Sequence, residues 1–320
     1  MIRQALRSFA VWFFEHRDLH ALRLYASEIL LRVWPTCARS EIPESVFGVD
    51  RNMIWRCQDT ALDINPDSGR AFVGCRMVRS EKWPIEQSGS TDLFAHLFPR
   101  PIKREPSLVM YAGAQTGLAG FVGGLLPRFF ALDRLGVPKD ILLLVSLDMG
   151  RTRIFQDALI DHIFAPRPLE LMRKHRLVRV ETLHEVTVPD LTFELLEQSA
   201  QRISEIYGPF ATDGPPVILC GRGVQHSKAL LRFLPEGRQS QAVVVDPFVA
   251  PLRLTLHALA SASVVVAPNG EERALLALVP SRQRTLHEVA VYHQPDPLTQ
   301  RILSMVEAVG AISYHTPHPD

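Results

Sequence analysis

From about residue 106 the chain alternates short unbroken apolar runs with longer runs whose apolar residues recur every three or four positions. The first kind predicts strands buried on both faces, and the second predicts amphipathic helices. Residues 107–112 and 141–147 read as strands, and 118–135 and 153–163 as the helices that follow them. Short strands at 177–180 and 185–188 precede an amphipathic helix over 192–206. A Gly- and Pro-rich stretch, 208–216, reads as a linker. A second alternating series follows, with strands at 217–220, 241–246, 263–267 and 284–289 and helices at 227–233, 251–260 and 271–278.

The chain before residue 105 has a different pattern. Apolar residues at helical spacing over 1–34 include one unbroken run, 9–14, which Glu15, His16, Arg17 and Asp18 stop. A signal-peptide core needs about 7–15 apolar residues and a spanning helix about 20. The run is too short for either, so the segment predicts helices packed on the protein. Its polar residues carry both signs, which disfavours a membrane-surface helix. Prolines 35, 43, 66, 84 and 99 break residues 35–100 into short pieces, with strands expected at 46–49, 53–55 and 71–77.

Together these patterns predict an α/β protein. Its two Rossmann-like parallel-sheet domains, 105–207 and 215–320, would face a cleft, the second ending in a C-terminal helix. Residues 1–104 would form a helical and α+β extension. In such sheets ligands bind outside the carboxyl ends of the strands, so the polar residues at those ends are the candidate site. Asp148 ends strand 141–147, Gly221-Arg222-Gly223 end strand 217–220, and Asp246-Pro247 end strand 241–246. Pro268-Asn269-Gly270-Glu271-Glu272 end strand 263–267. Flanking glycines let backbone approach a ligand, and a guanidinium grips phosphate through two donors, so Arg222 reads as an anion contact. Asn269-Gly270 ahead of a helix offers backbone N–H groups to an anion. Glu271 and Glu272 suit the helix dipole, and they can also accept from sugar hydroxyls. Gly113, Gly117, Gly120, Gly123 and Gly124 lie between a strand and a helix. Their spacing departs from the dinucleotide fingerprint and also suits close helix packing.

Composition narrows the class. Net charge is +1, without the basic bias of a nucleic-acid binder. The basic residues are 30 Arg to 5 Lys, which permits anion binding. The four cysteines show no Cys-x-x-Cys pair and no flanking His pair. This argues against a structural zinc or a disulfide framework and points to a reducing, cytoplasmic compartment, with peripheral contact to the inner membrane left open.

Two stretches carry a resemblance. One is 120–136, containing Leu126-Pro127-Arg128. The other is 262–289, containing Val266-Ala267-Pro268-Asn269-Gly270, Leu278-Val279-Pro280 and His287-Glu288-Val289. Between them lies Val217-Ile218-Leu219-Cys220-Gly221-Arg222. In order and spacing, about residues 105–290 resemble a divergent member of glycosyltransferase family 61, nucleotide-sugar enzymes of capsule and glycan synthesis with a GT-B-type fold. The resemblance implies an inverting transfer of a sugar from a nucleotide-sugar to a glycan acceptor, with no metal or other cofactor. The absence of any Asp-x-Asp agrees with that. Arg128, Arg222, Asn269, Gly270 and Glu272 would hold the donor, and Asp148 and Glu271 are the carboxylates to test as base. The family's polar residues upstream of its Leu-Pro-Arg fall on Gly120 and Gly124, its His-Gly loop reads Asn269-Gly270, and a helix Gln falls near Thr255. A catalytically inactive, ligand-binding homologue is therefore one alternative. A nucleotide-dependent oxidoreductase built on Gly117–Gly124 and Asp148 is another.

Overall fold

The structure is a computed structural model. It describes residues 117–134, 136–146, 152–172, 177–181, 191–221, 230–234, 236–280, 283–291 and 296–308, and the backbone of short strands elsewhere. The chain forms two compact units that cut across chain order. One comprises 1–111, 135–148 and 167–187, and the other 112–134, 149–166 and 188–320.

The first unit holds two sheets built from β1 (Gly48–Val49), β2 (Ile54–Cys57), β3 (Leu62–Ile64), β4 (Ala71–Val73), β5 (Arg76–Met77), β6 (Ile102–Lys103), β7 (Ser107–Met110), β8 (Leu142–Ser146), β9 (Leu169–Met172), β10 (Val178–Val180) and β11 (Leu183–Val186). The larger sheet runs β1-β2-β11-β7-β8-β9, and its β11, β7, β8 and β9 are mutually parallel. Leu143, Leu144 and Val145 of β8 are fully buried, as a strand covered on both faces requires. The smaller sheet, β5-β4-β3-β10-β6, is mostly antiparallel. There Arg179 of β10 lies opposite Asp63 of β3, and its guanidinium forks onto both carboxylate oxygens at 2.9 and 3.1 Å.

The second unit is one fully parallel five-stranded sheet with its helices. Its strands are β12 (Val217–Leu219), β13 (Val243–Val245), β14 (Val264–Pro268), β15 (Arg284–Val289) and β16 (Ile312–His315), in the order β13-β12-β14-β15-β16. The helices are α1 (118–134), α2 (Arg153–Ile160), α3 (Phe193–Tyr207), α4 (Leu252–Ser261) and α5 (Pro297–Ala308). A 3₁₀ segment, Glu271–Leu278, sits among them and packs against α1, α3, α4 and α5. Leu275 and Leu278 of this segment are fully buried, as are Leu195 and Ile203 of α3 and Ile302 of α5, to within about 1%. Ile218, Cys220, Val266, Leu230 and Leu234 form a second apolar cluster on the sheet.

Helix α1 departs from a regular helix at Phe121–Leu125, which is a π-helical turn. Pro127 follows; it has no N–H for the carbonyl four residues back, and a widened turn accommodates that loss. Helix α3 begins where Thr192 Oγ1 accepts from Leu195 N at 3.4 Å. Carboxylates from other elements serve two further helix starts. Asp157 of α2 accepts from Leu252 N of α4 at 2.8 Å, and Glu271 accepts from Leu118 N of α1 at 2.8 Å.

The expected α/β class with parallel sheets is what the chain forms. Strand 284–289 and the helix after Thr192 fall where the pattern placed them. The helix expected at 271–278 is there and is wound as 3₁₀. Residues 208–216 lie inside the second unit. Gly214 N–H donates to Ser261 O, and the Pro216 carbonyl accepts from Val243 N, so this stretch leads directly into the sheet. Residues 1–34 and 227–229 lie outside the described residues.

Candidate functional site at the carboxyl edge of the parallel sheet

Numbered within its own sheet, the second unit's strand order is 2-1-3-4-5. The connection leaving the first strand and the connection leaving the third then diverge to opposite sides. This topological switch point, between β12 and β14, is where open parallel sheets bind ligands. Four strand ends meet that edge: Cys220-Gly221 after β12, Asp246 after β13, Asn269 to Glu272 after β14, and Ala290-Val291 after β15.

Asn269 is buried and ties two strand ends together. Its backbone N–H donates to Val289 O at 3.0 Å, and its Oδ1 accepts from Val291 N at 2.9 Å. Gly270 uses its carbonyl to accept from Arg273 Nε at 3.2 Å. Arg273, 1% exposed, also pairs with Glu288 of β15, and its Nη2 has no hydrogen-bond partner among the described residues. Asp246 Oδ1 accepts from Phe248 N at 2.9 Å, which turns the chain after β13.

Glu271 and Glu272 take different roles. The Glu271 carboxylate lies on the N-terminus of α1, so close that a Cβ at Gly117 would stand 1.7 Å from its Oε2. An anion at that helix start would meet this carboxylate, which weighs against a dinucleotide diphosphate there. Gly123 is explained by packing: a Cβ would come within 2.8 Å of Ile302 Cδ1. Glu272, by contrast, is 1% exposed and its Oε1 has no partner among the described residues. Burial pushes its carboxyl up to about 7; the N–H groups of Glu272 and Gly270 and the charge of Arg273 oppose the rise, and Glu271 adds to it. Cys220, a free buried thiol, is also pushed up, first by burial and then by the charges of Asp246 and Glu272. Three titratable groups from three strand ends therefore share this edge.

Of the residues read from sequence, Asn269, Gly270, Glu271 and Glu272 are here. Arg128 is half-buried on α1. Arg222, one residue past Gly221, and Asp148 lie outside the described residues. Cys220 was not singled out; its place one residue past an apolar strand and before Gly-Arg-Gly was the available signal. A cavity of about 310 Å³ lies elsewhere, lined by Phe193, Leu196, Ser204, Leu276, Val306 and Arg284. Arg284 opens β15, so this cavity belongs to the amino end of that strand and to none of the groups above. Among the described residues no three side chains are grouped to hold a metal ion, and no helix is long and apolar enough to cross a membrane. No protein-family model matches the chain, and no curated protein is significantly similar to it.

Proposed function

We propose that the protein is a glycosyltransferase that moves a sugar from a nucleotide-sugar to a hydroxyl of a growing surface glycan, by inversion and without a metal. The donor would bind at the β12/β14 switch point, in a GT-B-type arrangement of two Rossmann-like domains. The observation that carries the reading is that switch point: Gly221 leads into Arg222 on one side, and Asn269-Gly270 turns the chain on the other. In the reaction the acceptor oxygen attacks the anomeric carbon, the bond to the diphosphate breaks, and its electron pair leaves on phosphate oxygen. Arg222 and backbone N–H groups would stabilise that developing charge. Arg128 would complete the donor contacts.

A second reading, binding without turnover, is favoured by two commitments. The Asn269 carboxamide holds Val291 N, and the Glu271 carboxylate caps α1, so neither group is idle. Thermal unfolding in the presence of nucleoside diphosphates, nucleotide-sugars and NAD(P) tests both readings. A ligand that binds only the folded state raises the midpoint by mass action. Stabilisation by a nucleoside diphosphate and its sugar, with slow hydrolysis of the sugar, supports the transferase. Stabilisation without any hydrolysis supports the second reading, and a response to NAD(P) alone overturns both.

A further inference from the structure

We propose that Glu272 is the catalytic base of this site, the group that takes the proton from the attacking hydroxyl. The inference rests on the glycosyl-transfer reading and goes beyond it by naming the base.

Three observations carry it. Glu272 follows β14 at the switch point of the sheet, the place at which open parallel sheets bind ligands. Its Oε1 is buried, with no hydrogen-bond partner among the described residues. A buried acceptor left unmet is costly, and a ligand hydroxyl is the chemistry that satisfies it. The neighbouring Glu271 is committed to Leu118 N and Gly117, which removes the other carboxylate of the loop from the role. The surroundings fit the task. Glu271 and Arg273 act on Glu272 from its own segment; Cys220 faces it from the end of β12, and Asp246 acts on the same thiol from the end of β13. Burial lifts the carboxyl into the range where it exchanges a proton near neutral pH, as an efficient base requires.

The step balances. The hydroxyl oxygen forms the new bond to the anomeric carbon, its proton passes to Glu272 Oε1, and the diphosphate departs with the electron pair of the broken bond. Water serves as the acceptor in donor hydrolysis, so hydrolysis reads the same base.

The test uses the full chain, a panel of uridine, guanosine, adenosine and cytidine diphosphate sugars, and the matching nucleoside diphosphates. Glu272→Gln should lower donor hydrolysis by about 10²–10⁴-fold, the usual worth of a general base. Nucleoside diphosphate affinity by calorimetry should stay within about a factor of ten, the equivalent of one weak contact. The wild-type rate should rise with pH and level off above about 7, where Glu272 is ionised. Glu272→Asp, which keeps the carboxylate, should recover part of the rate and the pH profile. Equal hydrolysis by wild type and Glu272→Gln, with binding intact, overturns the assignment and leaves the transferase reading standing. Loss of nucleotide binding with circular dichroism unchanged makes Glu272 a donor contact and overturns its role as base. Binding of no nucleotide by the wild type overturns both.

Discussion

Two adjacent glutamates show how local context sets a residue's role. Glu272 keeps its proton to about 7 in the folded chain, against an ordinary value of 4.5. Between those values the folded state binds more protons than the unfolded state, so stability falls as pH rises. With roughly 1.4 kcal/mol per pH unit, the loss is on the order of 3 kcal/mol. Urea unfolding of wild type and Glu272→Gln should therefore diverge between about pH 5 and about pH 8, with only the wild type showing this loss. Parallel profiles would place the carboxyl in a better-solvated setting. Glu271 acts through geometry. Gly117→Ala puts a methyl group onto its carboxylate and must dislodge the cap on α1. Gly117→Ala and Glu271→Ala should each cost about 1–2 kcal/mol, typical of a lost cap. The double variant should cost little more than either alone, because both remove one interaction. Full additivity in chemical denaturation would separate the two residues.

At the scale of elements, the 3₁₀ segment is where helices and sheet converge. Arg273 joins it to β15 through Glu288, with the guanidinium almost fully buried. Glu288→Ala leaves that cation unpaired and should cost about 3 kcal/mol, near the low end for breaking a buried pair. Helix α1 meets α5 at Gly123, where there is no room for a methyl group beside Ile302 Cδ1. Gly123→Ala should cost about 1–3 kcal/mol by overpacking. Adding Ile302→Val, which deletes that Cδ1, should restore part of the loss; no restoration would contradict the close approach. Elements of this kind were only partly legible in the chain. Strand 284–289 was legible from the alternation of strands and helices around it, since Leu286 and Val289 are its only apolar residues. The helix after Thr192 was plain from its amphipathic spacing. Strand β9 was hidden because Leu169–Met172 carries Glu170 and follows Pro166 and Pro168, so it reads as a loop until β8 pairs with it. The π turn was hidden because Gly and Pro signal a weak helix without saying how it adapts. A 3₁₀ winding shares its apolar positions with an α-helix over eight residues, so period alone does not separate them. The strand-end loop after β14 was legible as a candidate site. The split between Glu271 and Glu272 was not, since it depends on α1 arriving from 153 residues away.

At the scale of the whole molecule, the chain folds as an α/β protein whose second unit is a parallel sheet with a switch point between β12 and β14. That topology, more than any single residue, makes the edge bearing Cys220, Asp246 and Glu272 the candidate ligand edge. Arg222 follows Gly221 in the sequence, and we propose it as the diphosphate contact. A charge-assisted contact is worth about 1.5–3 kcal/mol, or roughly ten- to a hundredfold in affinity. The most direct measurement is calorimetric titration of nucleoside diphosphates into the wild type, Arg222→Ala and Arg222→Lys, with circular dichroism to confirm folding. The wild type should bind, Arg222→Ala should lose about ten- to a hundredfold in affinity, and Arg222→Lys, whose ammonium cannot form the two-pronged contact, should recover part of that loss. Equal affinity in the wild type and a folded Arg222→Ala, or no binding by the wild type at all, would contradict the assignment of this edge as the donor site.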